Sequence, residues 1–301
     1  MEYDKINGKV AFLEGPHKYF NIEDDSITYT SVTTLIGKYE PEFDKEFVSK
    51  YKALERLLPS DIWKKEKGGI WKSHKIPNDF LEVYNISESE LSKTQQDILD
   101  EWETTNKVAC ERGTKIHSQL ENSFYKAGSN ITLKKFGIGG KFECKKNYNE
   151  LDLEYGIYPE YLIYYDNPKL DLHIAGQIDL LVKNGNEIHI IDHKSNKKID
   201  LKGFYNNSTR STEKLKYPLT DLDNCNFNVY QLQLSTYAWM IQKINPKFVI
   251  KSLTLNHYDH DGNNTLYPCS YLKDDVEKML KHFAKQQKLE KQKRKYARIE
   301  Y

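Results

Sequence analysis

Asp179, Asp192 and Lys194 are the residues of this sequence best placed to act together, because a hairpin brings them onto one patch. The runs Ile174 to Lys183 and Glu187 to Lys194 read as strands joined through Asn184-Gly185-Asn186, and Asn-Gly between apolar runs is a strong hairpin signal. With Asn184-Gly185 as the two-residue turn, Lys183 faces Asn186 and Asp179 faces Ile190, which leaves Asp192 two positions further along the same face. The two carboxylates become diagonal neighbours, and alternation of side chains puts Lys194 beside Asp192. Carboxylates held together repel and are costly to bury, so a divalent cation such as Mg²⁺ is their natural partner. In phosphodiester hydrolysis such an ion polarises a phosphoryl oxygen, helps activate water and offsets charge on the leaving oxygen. A lysine ammonium suits orienting that water or stabilising the pentacovalent charge. Most Asp-x-Lys pairs are solvated charges on a surface hairpin. Here Glu187-Ile188-His189-Ile190-Ile191-Asp192 and Ile178-Asp179-Leu180-Leu181-Val182 read as buried strands, and acids at the edge of buried strands require a reason.

Two further patterns supply partners. Gly113, His117 and Glu121 are spaced four apart and share a helical face, where glycine permits close approach and imidazole can coordinate a metal. Glu121 is placed to orient that ring, or another ligand, from behind. Gln233 and Tyr237 are again one helical turn apart; an amide can bond a phosphate or base, and tyrosine adds a stacking face with a polar tip.

The elements that must position these groups follow from periodicity. A helix is predicted from about Thr105 to Ala127, with the apolar stripe Val108, Ile116, Leu120 and Phe124, stopping at Gly128. A strand spans Gly156 to Tyr165, a helix about Asn228 to Ile244, a strand Phe248 to Tyr258, and a last helix starts near Lys273. Upstream, Lys18-Tyr19-Phe20 and Ile27-Thr28-Tyr29-Thr30 flank a turn and predict a small hairpin. Residues 32–105 read as a helical, aromatic insertion in which Ser87 and Glu90 form a capping box. Trp63 and Trp71 there either stack on unpaired bases or fill the insertion's own core. The chain thus divides into an N-terminal hairpin at 1–31, the insertion at 32–105, a core at 106–272 with a mobile polar loop near 197–228, and a basic helix at 273–301.

Composition narrows the class. Across 301 residues, 45 Lys and Arg nearly cancel 44 Asp and Glu, so global charge names no partner, although the last helix carries a local basic excess. No apolar run approaches the roughly 20 residues that span a bilayer, and the start Met1-Glu2-Tyr3-Asp4-Lys5 is unlike a signal peptide. The expected setting is the cytoplasm of a bacterial or phage-infected cell. Cys110, Cys144, Cys225 and Cys269 are far apart, which indicates buried free thiols and neither a zinc site nor disulfides.

Taken in order, Gly113-x-x-x-His117, Gly176-Gln177-Ile178-Asp179, Asp192-His193-Lys194 and Gln233-x-x-x-Tyr237 resemble the RecB-like branch of the PD-(D/E)XK nuclease superfamily. The resemblance covers roughly 106–244 and is nearest to single-strand exonucleases typified by the mitochondrial genome maintenance exonuclease and similar phage proteins. Ile178 stands where the superfamily's name has proline, but this branch commonly keeps Gly-x-x-Asp. The resemblance implies an α/β, restriction-endonuclease-like core, a central mixed sheet flanked by helices. It implies Mg²⁺ or Mn²⁺ held by His117, Asp179, Asp192, the His193 carbonyl and, on the preceding strand, Glu160. Lys194 would be the catalytic lysine, with Gln233 and Tyr237 holding the substrate strand. Cys110 fits the first ligand of iron-sulfur members, but no triple-cysteine group follows Tyr237, so no cluster is expected. The implied activity is cleavage of DNA, by preference from single-stranded ends, in recombination, replication or phage DNA processing. A structure-specific or double-strand endonuclease is the nearest alternative. A non-catalytic nucleic-acid-binding module of a helicase-nuclease complex is the other, and the intact set of His117, two aspartates and Lys194 counts against it.

Overall fold

Strands buried on both faces read as continuous aliphatic runs, and two such runs make the middle of the sheet. They are β8 (Leu172–Asn184) and β9 (Glu187–Lys194), an antiparallel hairpin that pairs Asn184 with Glu187 and Leu180 with Ile191. The turn is therefore Gly185-Asn186, with Gly185 at φ +61°, and not Asn184-Gly185. A positive φ at the first turn position favours glycine there, which moves the pairing by two residues from the expected register. Each side chain keeps its face under a two-residue shift, but Asp179 comes level with Asp192 instead of lying diagonal to it.

The computed structural model describes residues 3–145, 153–206 and 210–297. Its main sheet is mixed. β7 (Gly156–Asn167) runs antiparallel along one edge of β8, while the other edge is shared by β4 (Thr30–Ser31), parallel at Ile174 and Ala175, and by β9 from Leu180 onward. Gly176, Gln177, Ile178 and Asp179 occupy the fork between those two neighbours. Beyond β9 come β12 (Val249–Tyr258), parallel to it, and β13 (Asn264–Cys269), antiparallel to β12. One face of the sheet is covered by α1 (Val32–Gly37), α6 (Asn226–Ile244) and α7 (Lys273–Ala297), whose Leu35, Leu234, Met240 and Phe283 meet Tyr161, Ile190 and Leu255.

Two separate covers protect the other face. β5 (Ile131–Leu133) and β6 (Ile138–Phe142), with Phe124 and Tyr125, lie over Ile157, Leu180, Val182 and Ile191. The small sheet of β1 (Lys5–Asn7), β2 (Val10–Leu13) and β3 (Lys18–Asn21) lies over Leu162 and Ala175. Alternation switches between the two covers. On β8, Leu181 joins the helix-side core, and beyond Asp179 so do Ile178 and Ile174; on β7, Tyr158 does, and beyond Glu160 so do Tyr161 and Ile163. Glu160 has φ +50°, so this strand pair kinks at the level of its two acids.

Residues 42–112, with Asn206 and Arg210, form a second compact unit. α2 (Lys45–Leu57), α3 (Ser60–Ser73), α4 (Phe80–Val83) and the first part of α5 (Glu88–Ala127) enclose Leu54, Trp63, Ile70, Phe80 and Ile98. Trp63 is thus core, while Trp71 stays 39% exposed beside Tyr51. α1 belongs to the sheet unit, because Val32, Leu35 and Ile36 are buried there, so the helical unit starts at 42 and not at 32. Ser87 and Glu90 do form the reciprocal cap: Ser87 N–H donates to Glu90 Oε2 at 2.9 Å and Glu90 N–H to Ser87 Oγ at 3.1 Å. From there α5 runs unbroken for 40 residues to Gly128 at φ +63°, where two helices were expected. No proline interrupts it, and the weak helix formers Thr104, Thr105 and Asn106 do not suffice to end it. Val108, expected in the apolar stripe, is 59% exposed.

Two other expectations change, and a third falls partly outside the described residues. The polar segment near 197–228 carries the short strands β10 (Tyr205–Asn206) and β11 (Ser211–Thr212), and Leu215 and Leu219 anchor it in the main core. Cys110 is exposed, Cys144 and Cys225 are buried, and Cys269 is intermediate. The basic helix is described to Ala297, and Arg298 and the residues after it lie outside the described residues. Among the described residues no helix is long and apolar enough to cross a membrane.

Candidate metal centre

Three acids stand in a row across the fork. Register places Glu160 of β7, Asp179 of β8 and Asp192 of β9 at one level, between the pairs Pro159 with Leu180 and Tyr161 with Ile178, and one step beyond Leu180 with Ile191. α5 brings His117 to the row, its Nδ1 3.4 Å from Glu160 Oε1 and 3.6 Å from Asp179 Oδ2. Its Nε2 lies 3.0 Å from the carbonyl oxygen of His193. A carbonyl only accepts, so Nε2 carries a proton and Nδ1 is the nitrogen aimed at the acids. The His193 carbonyl, expected as a metal ligand, accepts this bond with one of its two lone pairs and so fixes the tautomer of His117. Asp179 Oδ2 in turn accepts from the His193 N–H at 2.6 Å.

One ligand atom from each of His117, Glu160 and Asp179 lies within 4.8 Å of the others. Donors around one ion at about 2.1–2.4 Å are at most about 4.2–4.8 Å apart, so the spacing of these three is compatible with a single divalent cation. Two carboxylates and one imidazole are hard to borderline donors, a set compatible with several divalent cations, Mg²⁺ and Mn²⁺ among them.

Asp192 lies outside that group of three. Its carboxylate is 1% exposed; Oδ2 is 2.6 Å from Lys194 Nζ, and Oδ1 accepts from Gln233 Nε2 at 3.2 Å. Gln233 also donates to Tyr237 Oη at 3.3 Å. With 7% and 3% exposure, Gln233 and Tyr237 do not face a substrate strand as expected; they are braces behind Asp192. The glycine of Gly176-x-x-Asp179 has a direct cause, since a Cβ at Gly176 would stand 2.5 Å from Tyr237 Cε1. Tyr230 was not foreseen: its ring centre lies 4.7 Å from Lys194 Nζ, an orienting cation–π contact. Its signal was present, because Tyr230, Gln233 and Tyr237 follow the three-and-four spacing of one helical face. Glu121 does not orient His117. Its Oε1 accepts from Lys5 Nζ at 3.3 Å and Tyr125 Oη at 3.1 Å.

Protons now balance the acids. Burial works against a charged His117, but Asp179 and Glu160 outweigh it and raise the imidazole to about 9. Burial raises the Asp179 carboxyl above the ordinary range, with the positive His117 opposing. Asp192 is pushed up to about 6 by burial against the pull of Lys194. Burial likewise disfavours the Lys194 ammonium, yet Asp192 and Asp179 override it and favour the charged amine. A cleft of about 430 Å³ opens on the His117 and Glu160 side, lined also by Lys5, His17, Thr114 and Gln177.

No protein-family model and no curated protein sequence matches the chain. Several solved structures are similar to it, two of them as follows. One is the protein SSO0001, at 14% identity and TM-score 0.24 over 41% of this chain and 46% of that one. This chain therefore spans less than half of SSO0001. The other, from Eubacterium rectale, is named a candidate exonuclease; it matches at 10% identity and TM-score 0.31 over 84% of this chain and 77% of that one. At such scores neither likeness bears on function, and the geometry of the site has to.

Proposed function

We propose that this chain is a Mg²⁺- or Mn²⁺-dependent nuclease that hydrolyses DNA phosphodiesters, acting by preference from single-stranded ends, on a restriction-endonuclease-like core. The observation that carries the reading is the convergence of His117, Glu160 and Asp179 within 4.8 Å, one strand away from a charged lysine held by a buried aspartate. When bound there, a divalent ion supplies charge neutralisation at the phosphoryl group and acidifies the attacking water.

The chain's own groups have the following roles. Glu160, Asp179 and His117 Nδ1 hold the cation, and the His193 carbonyl keeps the His117 proton on Nε2. Lys194 places an ammonium where negative charge develops on the phosphorus oxygens or orients the water beside them. Asp192 sets the position of that ammonium; it enters the ligand set only by loosening its hold on Lys194. Gln233 and Tyr237 keep Asp192 in place from α6.

The test is a titration of Mg²⁺ and Mn²⁺ with single-stranded, duplex and closed circular single-stranded DNA labelled separately at each end. Metal-dependent release of nucleotides from linear single strands is expected, lost in Lys194→Ala while DNA binding persists. Cleavage of closed circles would reject a purely exonucleolytic mechanism, and equal turnover in Lys194→Ala and the parent would reject the lysine's role.

A further inference from the structure

Basic residues are unevenly spread along α7. From Lys281 to Lys295 the helix carries seven bases against one acid, Glu290. Lys281, Lys285, Lys288, Lys291 and Lys295 follow a four-three-three-four spacing, which places them along one face. At about 1.5 Å per residue this stripe is about 21 Å long. Val276, Met279, Leu280 and Phe283 enter the core and fix the first part of the helix, up to Ala284; from Lys285 on no described residue is buried, and the lysines are all exposed. Lys169, from the turn between β7 and β8, joins them, and together they line a groove of about 550 Å³. Only Lys291 has a carboxylate partner among the described residues, Asp171 of the same turn. Like charges one helical turn apart disfavour the helix, and here they recur along one face with Asp171 as their single carboxylate partner among the described residues.

We propose that this stripe is a track for the phosphate backbone of single-stranded nucleic acid, separate from the metal centre. Its position supports the separation: eight residues of β7 at about 3.3 Å each put the turn about 25 Å along the strand from Glu160. Six cations spread over that length are too dispersed for one small anion and match a repeating one. A membrane-binding helix needs a broad apolar face beside its basic one; Val276, Met279, Leu280 and Phe283 of α7 are turned into the core, and among the described residues the exposed apolar surface beside the lysines is two isolated side chains, Leu289 of the helix and Leu170 of the turn. The choice of nucleic acid among polyanions rests on the proposed function; the repeating-anion surface does not.

The experiment measures binding of a fluorescent oligothymidylate by anisotropy in EDTA, over a range of salt, for the parent, K281E/K285E/K288E and the milder K281Q/K285Q/K288Q. The expected result is an affinity lowered by about tenfold or more in the Glu variant and less in the Gln variant, with the salt slope reduced by about 2 for three lost single-strand contacts. Parental affinity and slope in both variants would overturn the track, as would a parent that binds phosphatidylserine vesicles and not the oligonucleotide. A parent that binds through the stripe but cleaves nothing with Mg²⁺ or Mn²⁺ leaves the track standing and removes the nuclease. Normal cleavage with unaltered binding in both variants does the reverse.

Discussion

At the scale of single residues, the centre stores protons where it would hold a cation. An imidazole raised to about 9 by Asp179 and Glu160 must lose its proton before Nδ1 can bind a metal. Below that value each unit of pH should weaken Mn²⁺ binding about tenfold, as one proton must leave for each ion bound. Calorimetry across pH 6 to 9, repeated in buffers of different ionisation enthalpy, would show the released proton; a flat affinity would remove His117 from the ligand set. Glu160 raises a second question, because a non-glycine residue at φ +50° inside a strand is strained. Glu160→Gly relieves that strain while removing the carboxylate, whereas Glu160→Ala removes the carboxylate alone. Both variants should lose turnover, but the glycine variant should be more stable by about 1 kcal/mol, read from denaturant midpoints. Equal midpoints would mean that the backbone does not adopt this conformation in solution.

Elements convert these residues into a site, and the tightest joint is between β8 and α6. An alanine at Gly176 would push against Tyr237, which accepts from the Gln233 amide that also steadies Asp192. Gly176→Ala should therefore destabilise by about 1–3 kcal/mol and lower turnover together. Combining it with Tyr237→Ala should give less than the sum of the two losses, and strict additivity would show that they do not touch. Much of this joint is legible in the sequence. Buried aliphatic runs give the hairpin, and the spacing of Gln233 and Tyr237 gives their shared face. What escapes is local backbone geometry. Nothing in Tyr158-Pro159-Glu160-Tyr161 announces a positive φ at a glutamate, so strict alternation assigns Glu160 and Asp179 to ordinary strand faces and misses the kink that lets them meet His117. The turn was misplaced for a related reason: Asn-Gly marks a hairpin without saying which turn position glycine fills. Roles read from spacing alone failed where burial intervened, as for Gln233 and Tyr237, or where a nearer partner competed, as Lys5 does for Glu121.

On the scale of the whole molecule, a net charge of +1 conceals local excesses, three acids side by side at the fork and a run of lysines along α7. One further charged cluster ties the small N-terminal sheet to the main one. Asp166 of β7 accepts from Tyr29 Oη at 2.9 Å, pairs with Lys9 Nζ at 2.6 Å and meets His173 Nδ1 at 2.7 Å. Burial works to raise its carboxyl, but Lys9, His173 and Tyr29 prevail and hold it below the ordinary range. A depressed folded-state value means the unfolded chain takes up the proton first as pH falls. The stabilisation is therefore whole above the unfolded value of about 3.9 and is lost as pH drops through the folded one. Asp166→Asn should cost about 1–3 kcal/mol at neutral pH, because it removes charge-assisted bonds. It should also flatten the fall of stability between pH 4 and 2, where the parent loses this contribution. Urea midpoints for parent and variant across that range decide the matter. Parallel curves would mean that Asp166 does not couple the two sheets through its charge, and that the apolar contacts of Leu162 and Ala175 with Val10 and Phe12 hold them together unaided.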